Sequence, residues 1–477
     1  MPPGIALVVW LICLLVLLRY DPAKNSQVSW AVWIPISWMF LMGSRLPSQW
    51  MGRAMGSYAQ VLEEGNSLDR VVLFGLIVVF VGILAGRSFA WGSFLGNNLF
   101  FSALLFFGLF SVLWSDYPLV SLKRWIRDLG NYLALIVVLY EANPLEALRT
   151  FLRRLYYILI PLSILLIKYF PAEAIRYGIW SGVAEYVGAA TSKNTFGSVC
   201  MLSGIFFFWD SISRWSERKE KQTKRILAIN AMFILMSFWL LRMSSSATSL
   251  VCFFMGCGII LMYHAWGRYR LGLFKVLIPS FFLGYVIFGF GFGLNDRLAD
   301  FLGRDATLTG RTAIWDAVLS TNVNPLLGTG YDTFWLGERL NQVWRLSVPV
   351  NQAHNGYLEF YLHQGILGLV LLGGLLISGY ITICRNLEKS RGFGPLALAV
   401  WTLALFYNMT EAAFKPSFMC LTILLGAMVI PERRLLPRFQ RTPQPASRPL
   451  VVNRKLAPGL GRHRPLATPE KLKPAGD

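Results

Sequence analysis

The sequence predicts an all-α fold, a polytopic transmembrane helical bundle with one large loop outside the membrane that contains short helices. Of its 477 residues 55% are hydrophobic and only 15% charged, where a soluble protein of this length carries roughly a quarter of its residues as charge. The apolar residues come in blocks long enough to cross about 30 Å of hydrocarbon rather than at amphipathic spacing. The basic residues collect in short segments between those blocks, which is how membrane topology is written into a chain.

Taken in order, the blocks give about twelve to thirteen spans, near residues 4–19, 28–43, 71–87, 95–114, 129–141, 155–170, 195–209, 226–242, 247–264, 273–294, 358–384, 395–409 and 417–431. The first lacks a basic leader and a small-residue cleavage site, so it reads as a retained helix. Six cysteines, Cys13, Cys200, Cys252, Cys257, Cys384 and Cys420, fall in or beside apolar blocks with no Cys-x-x-Cys pair. They read as packing residues, and the sequence implies neither a disulfide frame nor a metal site.

A net charge of +20 suggests nucleic acid in a soluble protein, but its location argues otherwise. Residues 210–225, 265–275 and 384–394 are strongly basic and fall on one side if each block crosses once, and that side is expected to be cytoplasmic. The tail, 432–477, has eleven Lys/Arg against three acids and is broken by eight prolines. It is expected to be a disordered cytoplasmic segment attracted to anionic membrane lipid, with no nucleic-acid partner. The opposite side receives 115–130, 171–195, 242–248 and a long loop, 295–357, with five Arg and no Lys. Lys123, Arg124 and Arg127 break the charge rule there. Either a neighbouring span is misplaced or those cations are held outside because they bind something.

In the long loop, Thr309 or Gly310 is placed to cap a helix that Asn324-Pro325 ends, and Gly328 and Gly330 then give a tight turn. Arg311, Ile314, Trp315 and Val318 share one face of that helix, which should direct Arg311 toward the bundle. Spacing alone leaves Arg311 either a functional cation or a snorkelling or ion-paired one. His354 is expected in the first turns of a helix that runs into the membrane as the 358–384 span. The positive end of the helix dipole there favours a neutral imidazole able to accept a proton. A general base and a structural hydrogen-bonding group are both open to it. Asn355 and Glu359, four apart, are placed either to orient a substrate and support the site or simply to satisfy local polar groups.

The run from "GRTAIWDAVL" through "NPLLGTGYDTFW" to "AHNGYLEFYLHQGILG" resembles the O-antigen ligase and polymerase family of bacterial membrane glycosyltransferases, on the side of its exopolysaccharide polymerases. "WSDYPLVSLKRW", "TSKNTFG" and "SSSATSL" extend the resemblance over residues 1–431, leaving out the tail. What it implies is polymerisation of oligosaccharide repeats carried on undecaprenyl diphosphate, on the periplasmic face of the bacterial inner membrane, by an inverting, metal-independent displacement. No cofactor is implied, and other polysaccharide-assembly proteins are implied as partners.

Carried onto this chain, Arg311 and His354 would be catalytic, Arg311 binding the diphosphate and His354 activating the acceptor hydroxyl. Lys193, Arg124 and Arg242 would add to the diphosphate site, with Asn194, Asn355 and Glu359 in support. Many ligases carry an arginine in the motif that here reads "SSSATSL", and its absence favours a polymerase over transfer to lipid A core. Arginine binds phosphate oxygens bidentately without a metal, and no Asp-x-Asp motif is present; Asp296, Asp300 and Asp305 are spaced as in a solvated loop. A transporter or flippase is the competing reading, and matching halves with broken spans would mark it. A scaffold of an export complex would need no particular His or Arg.

Overall fold

In hydrocarbon every backbone N–H and C=O must find a partner within the protein, and a helix supplies one within a single segment. The computed structural model describes residues 1–22, 28–52, 65–177, 182–267, 269–291, 311–389 and 392–414. All belong to one unit, Met1–Leu435, and a second unit, Leu436–Asp477, lies outside them. The expected span 417–431, the tail, Asp296, Asp300, Asp305 and the Thr309–Gly310 cap also lie outside the described residues.

The chain opens with α1 (Pro3–Arg19), α2 (Trp33–Gly43, entered through a 3-10 turn at Trp30–Val32), the single turn α3 (Pro47–Trp50) and α4 (Ser67–Gly86). There follow α5 (Trp91–Asn97), α6 (Leu99–Phe110), α7 (Pro118–Leu139), α8 (Pro144–Tyr169) and the short α9 (Pro171–Ala174). A hairpin of β1 (Ile175–Tyr177) and β2 (Ala184–Tyr186) leads to α10 (Lys193–Arg214), α11 (Lys221–Met243), α12 (Ala247–Met262) and α13 (Leu271–Val286). The last elements are α14 (Arg311–Leu319), α15 (Gly337–Leu346), α16 (Gly356–Lys389) and α17 (Gly394–Tyr407).

Every expected span within the described residues has a helical counterpart. Among the described residues seven helices are long and apolar enough to cross a membrane, or eight if Trp91–Asn97 and Leu99–Trp114, which meet at 103°, form one broken span. The difference from the expected count is physical. α1, the Trp30–Gly43 segment and α17 are apolar but short, and α7 carries charge through its first half.

That charge corrects the reading of 115–130 as a loop. Pro118 opens α7, Lys123, Arg124 and Arg127 all lie on it, and Asp128 and Asn131 are buried in its middle. Segment 171–195 also holds the hairpin, a small exception to the all-α expectation.

Side-chain contacts sort the connections into two ends. At one end Arg124 pairs with Asp332, Arg339 with Asp116, Arg311 with Glu411 and Thr248 with Thr410, which gathers the segments expected outside. At the other, Lys275 pairs with Glu388 and the Trp209 indole donates to Gly392 O. There too Arg153, with no exposure, lies between Asp210 at 3.1 Å and Asp21 at 3.6 Å. Between the ends, rings of Tyr156, Tyr157, Phe206, Phe207 and Phe233 pack together and hold α8, α10 and α11.

Asp210 also takes hydrogen bonds from Asn230 at 3.0 Å and Arg214 at 3.1 Å. Removing it leaves a fully buried guanidinium without its nearest counter-charge, so Asp210→Ala should destabilise by about 3–5 kcal/mol. Thermal melting of the detergent-solubilised variant checks this, and an unchanged midpoint would contradict it.

α16 was expected to run unbroken, and it does not. Gly365 has φ 62 and ψ −166, which divides it into a short half at 356–364 and a long half at 366–389. A break in a membrane helix strands backbone groups, and the loop before α15 supplies their partners. Thr329 N donates to Leu362 O at 3.0 Å and Gly330 N to His363 O at 3.1 Å, while Ile366 N donates to Pro325 O at 2.9 Å and Leu367 N to Leu326 O at 3.2 Å. Backbone must meet backbone for this. A Cβ at Gly328 would lie 2.4 Å from the His363 carbonyl carbon, and one at Gly365 would lie 2.3 Å from that of Leu326. The Gly328 and Gly330 turn therefore exists, with both at positive φ, and its partner is the helix break.

Candidate active site

Where α17 ends, the chain turns along 408–414 and fixes the start of α16. Gly356 N donates to Asn408 O at 2.8 Å, and Ala413 N donates to Asn408 Oδ1 at 2.8 Å. Asn355 then caps α16, its Oδ1 accepting from Tyr357 N at 3.0 Å and Leu358 N at 3.1 Å. His354 consequently sits just before the helix rather than in its first turns, and it takes φ 49. A non-glycine residue in that region is uncommon and marks a constrained position.

The constraint comes from Ala353. Its N–H donates to Glu359 Oε2 at 2.7 Å and its carbonyl accepts from the Trp315 indole at 2.8 Å. The other Glu359 oxygen accepts from the Trp335 indole at 2.7 Å. Glu359, 2% exposed, thus ties three parts of the loop signature to one another and sets the direction of His354.

His354 and Arg311 meet on a residue that the sequence did not single out. Arg311 Nη2 lies 3.0 Å from Glu411 Oε1, and His354 Nδ1 lies 3.3 Å from Glu411 Oε2. Gln352 Nε2 is 3.4 Å from the same imidazole nitrogen. A carboxylate oxygen only accepts, so the Glu411 contact places the proton on Nδ1 and leaves the Nε2 lone pair to accept one, with the Gln352 amide then turning its oxygen rather than its nitrogen toward Nδ1. Glu411 is 4% exposed on its side chain while Arg311 and His354 reach the surface at 16% and 23%. The arrangement is a base, a buried carboxylate that orients it and offsets the charge it gains, and a guanidinium on the same carboxylate. On α14, Ile314 and Val318 are buried and Trp315 partly so, which directs Arg311 inward as the spacing predicts; the helix ends at Leu319, short of Asn324.

The other nominated cations stand apart from this pair. Lys193 begins α10, capped by Ser192, and binds Glu185 of β2 at 2.6 Å. Asn194 contributes its carbonyl, which accepts from Tyr407 OH at 3.2 Å. Arg242 is exposed in the last turn of α11, and its side chain has no ion pair among the described residues. The start of α10 meets the end of α17 through that Tyr407 bond, and the start of α12, just after Arg242 in the chain, meets the segment carrying Glu411 where Thr248 bonds Thr410 at 2.8 Å.

Arg124 lies on the other side, 3.6 Å from Asp332 Oδ2, with Arg127 at 3.6 Å from the same oxygen and 2.8 Å from Asp128. These two cations that break the charge rule are held by carboxylates, the buried Asp128 and the partly buried Asp332. Tyr331 donates to Asp128 at 3.1 Å, and burial pushes its hydroxyl well above the usual tyrosine range, so it remains a donor. Glu411 and Asp332 escaped notice as single acids far in sequence from their cation partners, and Asp128 because its tie to Tyr331 spans 203 residues.

Among the described residues no group of three or more His, Cys, Asp or Glu could hold a metal ion. A family model described as O-antigen ligase matches residues 231–373, from within α11 to the long half of α16. The chain is also 26% identical over 360 residues to the exopolysaccharide production protein ExoQ of Rhizobium meliloti (strain 1021), an alignment covering 71% of this chain and 80% of that protein.

Proposed function

From the match of residues 231–373 to the O-antigen ligase family model and the similarity to an exopolysaccharide production protein, we propose that the chain is a membrane glycosyltransferase of that family and that it polymerises oligosaccharide repeats carried on undecaprenyl diphosphate. The acceptor hydroxyl oxygen attacks the donor's anomeric carbon as His354 Nε2 takes its proton. The bond from that carbon to the phosphate oxygen breaks, and its electron pair leaves with undecaprenyl diphosphate, so the configuration inverts. Arg311, with Lys193 at the start of α10 and Arg242 in the last turn of α11, meets the charge that develops on the leaving group. The site faces the periplasm from the inner membrane.

The observation carrying this reading is that one buried carboxylate, Glu411, holds both His354 and Arg311. The similarity to an exopolysaccharide production protein favours repeat polymerisation over transfer to lipid A core. Purified protein in liposomes, supplied with undecaprenyl-diphosphate-linked repeats, should give a ladder of extended glycans. Translocation without extension would favour a transporter, and transfer to lipid A core alone would make the protein a ligase.

A leaving-group role for Lys193 and Arg242 has its own test. Arg242→Gln and Lys193→Gln should each lower the extension rate by about 10²-fold at most, with unchanged melting. Wild-type rates in both would remove them from the site.

A further inference from the structure

One turn after Glu359 on α16 stands a second imidazole, the buried His363, which takes no part in the reaction described above. Both of its nitrogens are engaged. Phe334 N donates to Nδ1 at 3.4 Å, so the proton lies on Nε2, and Nε2 stands 3.3 Å from Glu359 Oε1 and 3.7 Å from Asp332 Oδ1. From this we infer that His363 is a positioning residue for the base His354, acting through Glu359, an assignment that rests on the transferase reading above.

Glu359 is the link. Its Oε1 takes the His363 N–H beside the Trp335 indole, and its Oε2 takes the N–H of Ala353, the residue before His354. The carboxylate is planar, so a donor that fixes one oxygen sets where the other points. A site keeps its geometry when the groups behind it are themselves locked, and His363 is locked. Its carbonyl accepts from Gly330 N at 3.1 Å among the bonds that hold the helix break, and its ring meets the fully buried Phe334 ring edge to face at 6.4 Å. The break at Gly365 thereby gives a fixed point from which one side chain reaches back toward the base. Asp332 stands on the same edge of the imidazole, 3.6 Å from both Arg124 and Arg127. The α7 cations thus reach His354 through protein, by way of Asp332 and His363.

Aiming Glu359 and merely anchoring the loop use different nitrogens of the ring, so the two roles separate. Anchoring needs an acceptor at Nδ1 for Phe334 N; aiming needs a donor at Nε2. Asparagine carries an amide oxygen at the reach of Nδ1, and glutamine an amide nitrogen at the reach of Nε2. His363→Asn keeps the first bond and loses the second, and His363→Gln does the opposite.

The test is glycan extension by purified full-length protein in liposomes, with kcat and KM for the lipid-linked repeats taken separately beside a melting curve. His363→Asn should lower kcat by about 10–10²-fold, the cost of a slightly misplaced reacting group, with KM unchanged because the ring touches no substrate. His363→Gln should restore kcat to near the wild-type value. Glu359→Gln offers an acceptor at only one of the two oxygen positions, and in that background His363→Asn should cost no further rate. With an active wild type, an unchanged kcat in His363→Asn, or a larger loss in His363→Gln, would make the ring a loop anchor and overturn the assignment while the transferase reading stands. A raised KM at wild-type kcat would place the ring against substrate and overturn it too. Should His363→Asn fail to fold, His363→Gln decides alone, supporting the assignment at wild-type kcat and overturning it if slow at an unchanged melting midpoint. A wild type that extends no glycan overturns both readings.

Discussion

His354→Asn lowers glycan extension by about 10²–10⁴-fold, the contribution of a positioned general base, while the protein melts as the wild type does. Asparagine is the informative replacement because the position takes φ 49, a region that asparagine tolerates and alanine enters at a cost. The imidazole is 23% exposed on its side chain, and the local fold rests on the Asn355 cap and on Glu359 rather than on the ring. Activity and stability should therefore separate. Extension of lipid-linked repeats measured beside a melting curve checks this, and a variant that retains wild-type turnover excludes His354 as the base.

Gly365→Ala should cost about 2–5 kcal/mol, adding left-handed backbone strain to overpacking. The methyl group would stand 2.3 Å from the Leu326 carbonyl carbon, a backbone atom that cannot step aside without breaking the Leu367 and Ile366 bonds that hold the helix break. Gly373 is the control, since it lies in the same helix with nothing within 4 Å of an added Cβ. Gly373→Ala should melt at or slightly above the wild-type temperature, because alanine is the better helix former. Equal midpoints for the two variants would contradict the structural role of the break.

The two glycines show what a single sequence reveals. Gly328 and Gly330 sit in a polar loop where a tight turn is their expected use, so that turn was legible. Gly365 sits in an apolar run, where a lone glycine reads as tolerated in a helix, and only its contact with Leu326 shows the break. Likewise Arg311 could be aimed at the bundle from the spacing of Ile314, Trp315 and Val318, because helical periodicity is local. Its partner could not, since Glu411 lies 100 residues away beside an apolar run that outweighs it. The α7 cations looked anomalous for the same reason, with Asp332 found 208 residues from Arg124.

Glu411 binds the two halves of the account, and it is the place to measure. If His354 and Glu411 act as one unit, their losses are strongly non-additive. Single-turnover extension should be slowed by His354→Asn and by Glu411→Gln, and the double variant should be no slower than His354→Asn alone. Losses that multiply in the double variant would show the two residues acting independently, and wild-type rates in both single variants would contradict the site itself.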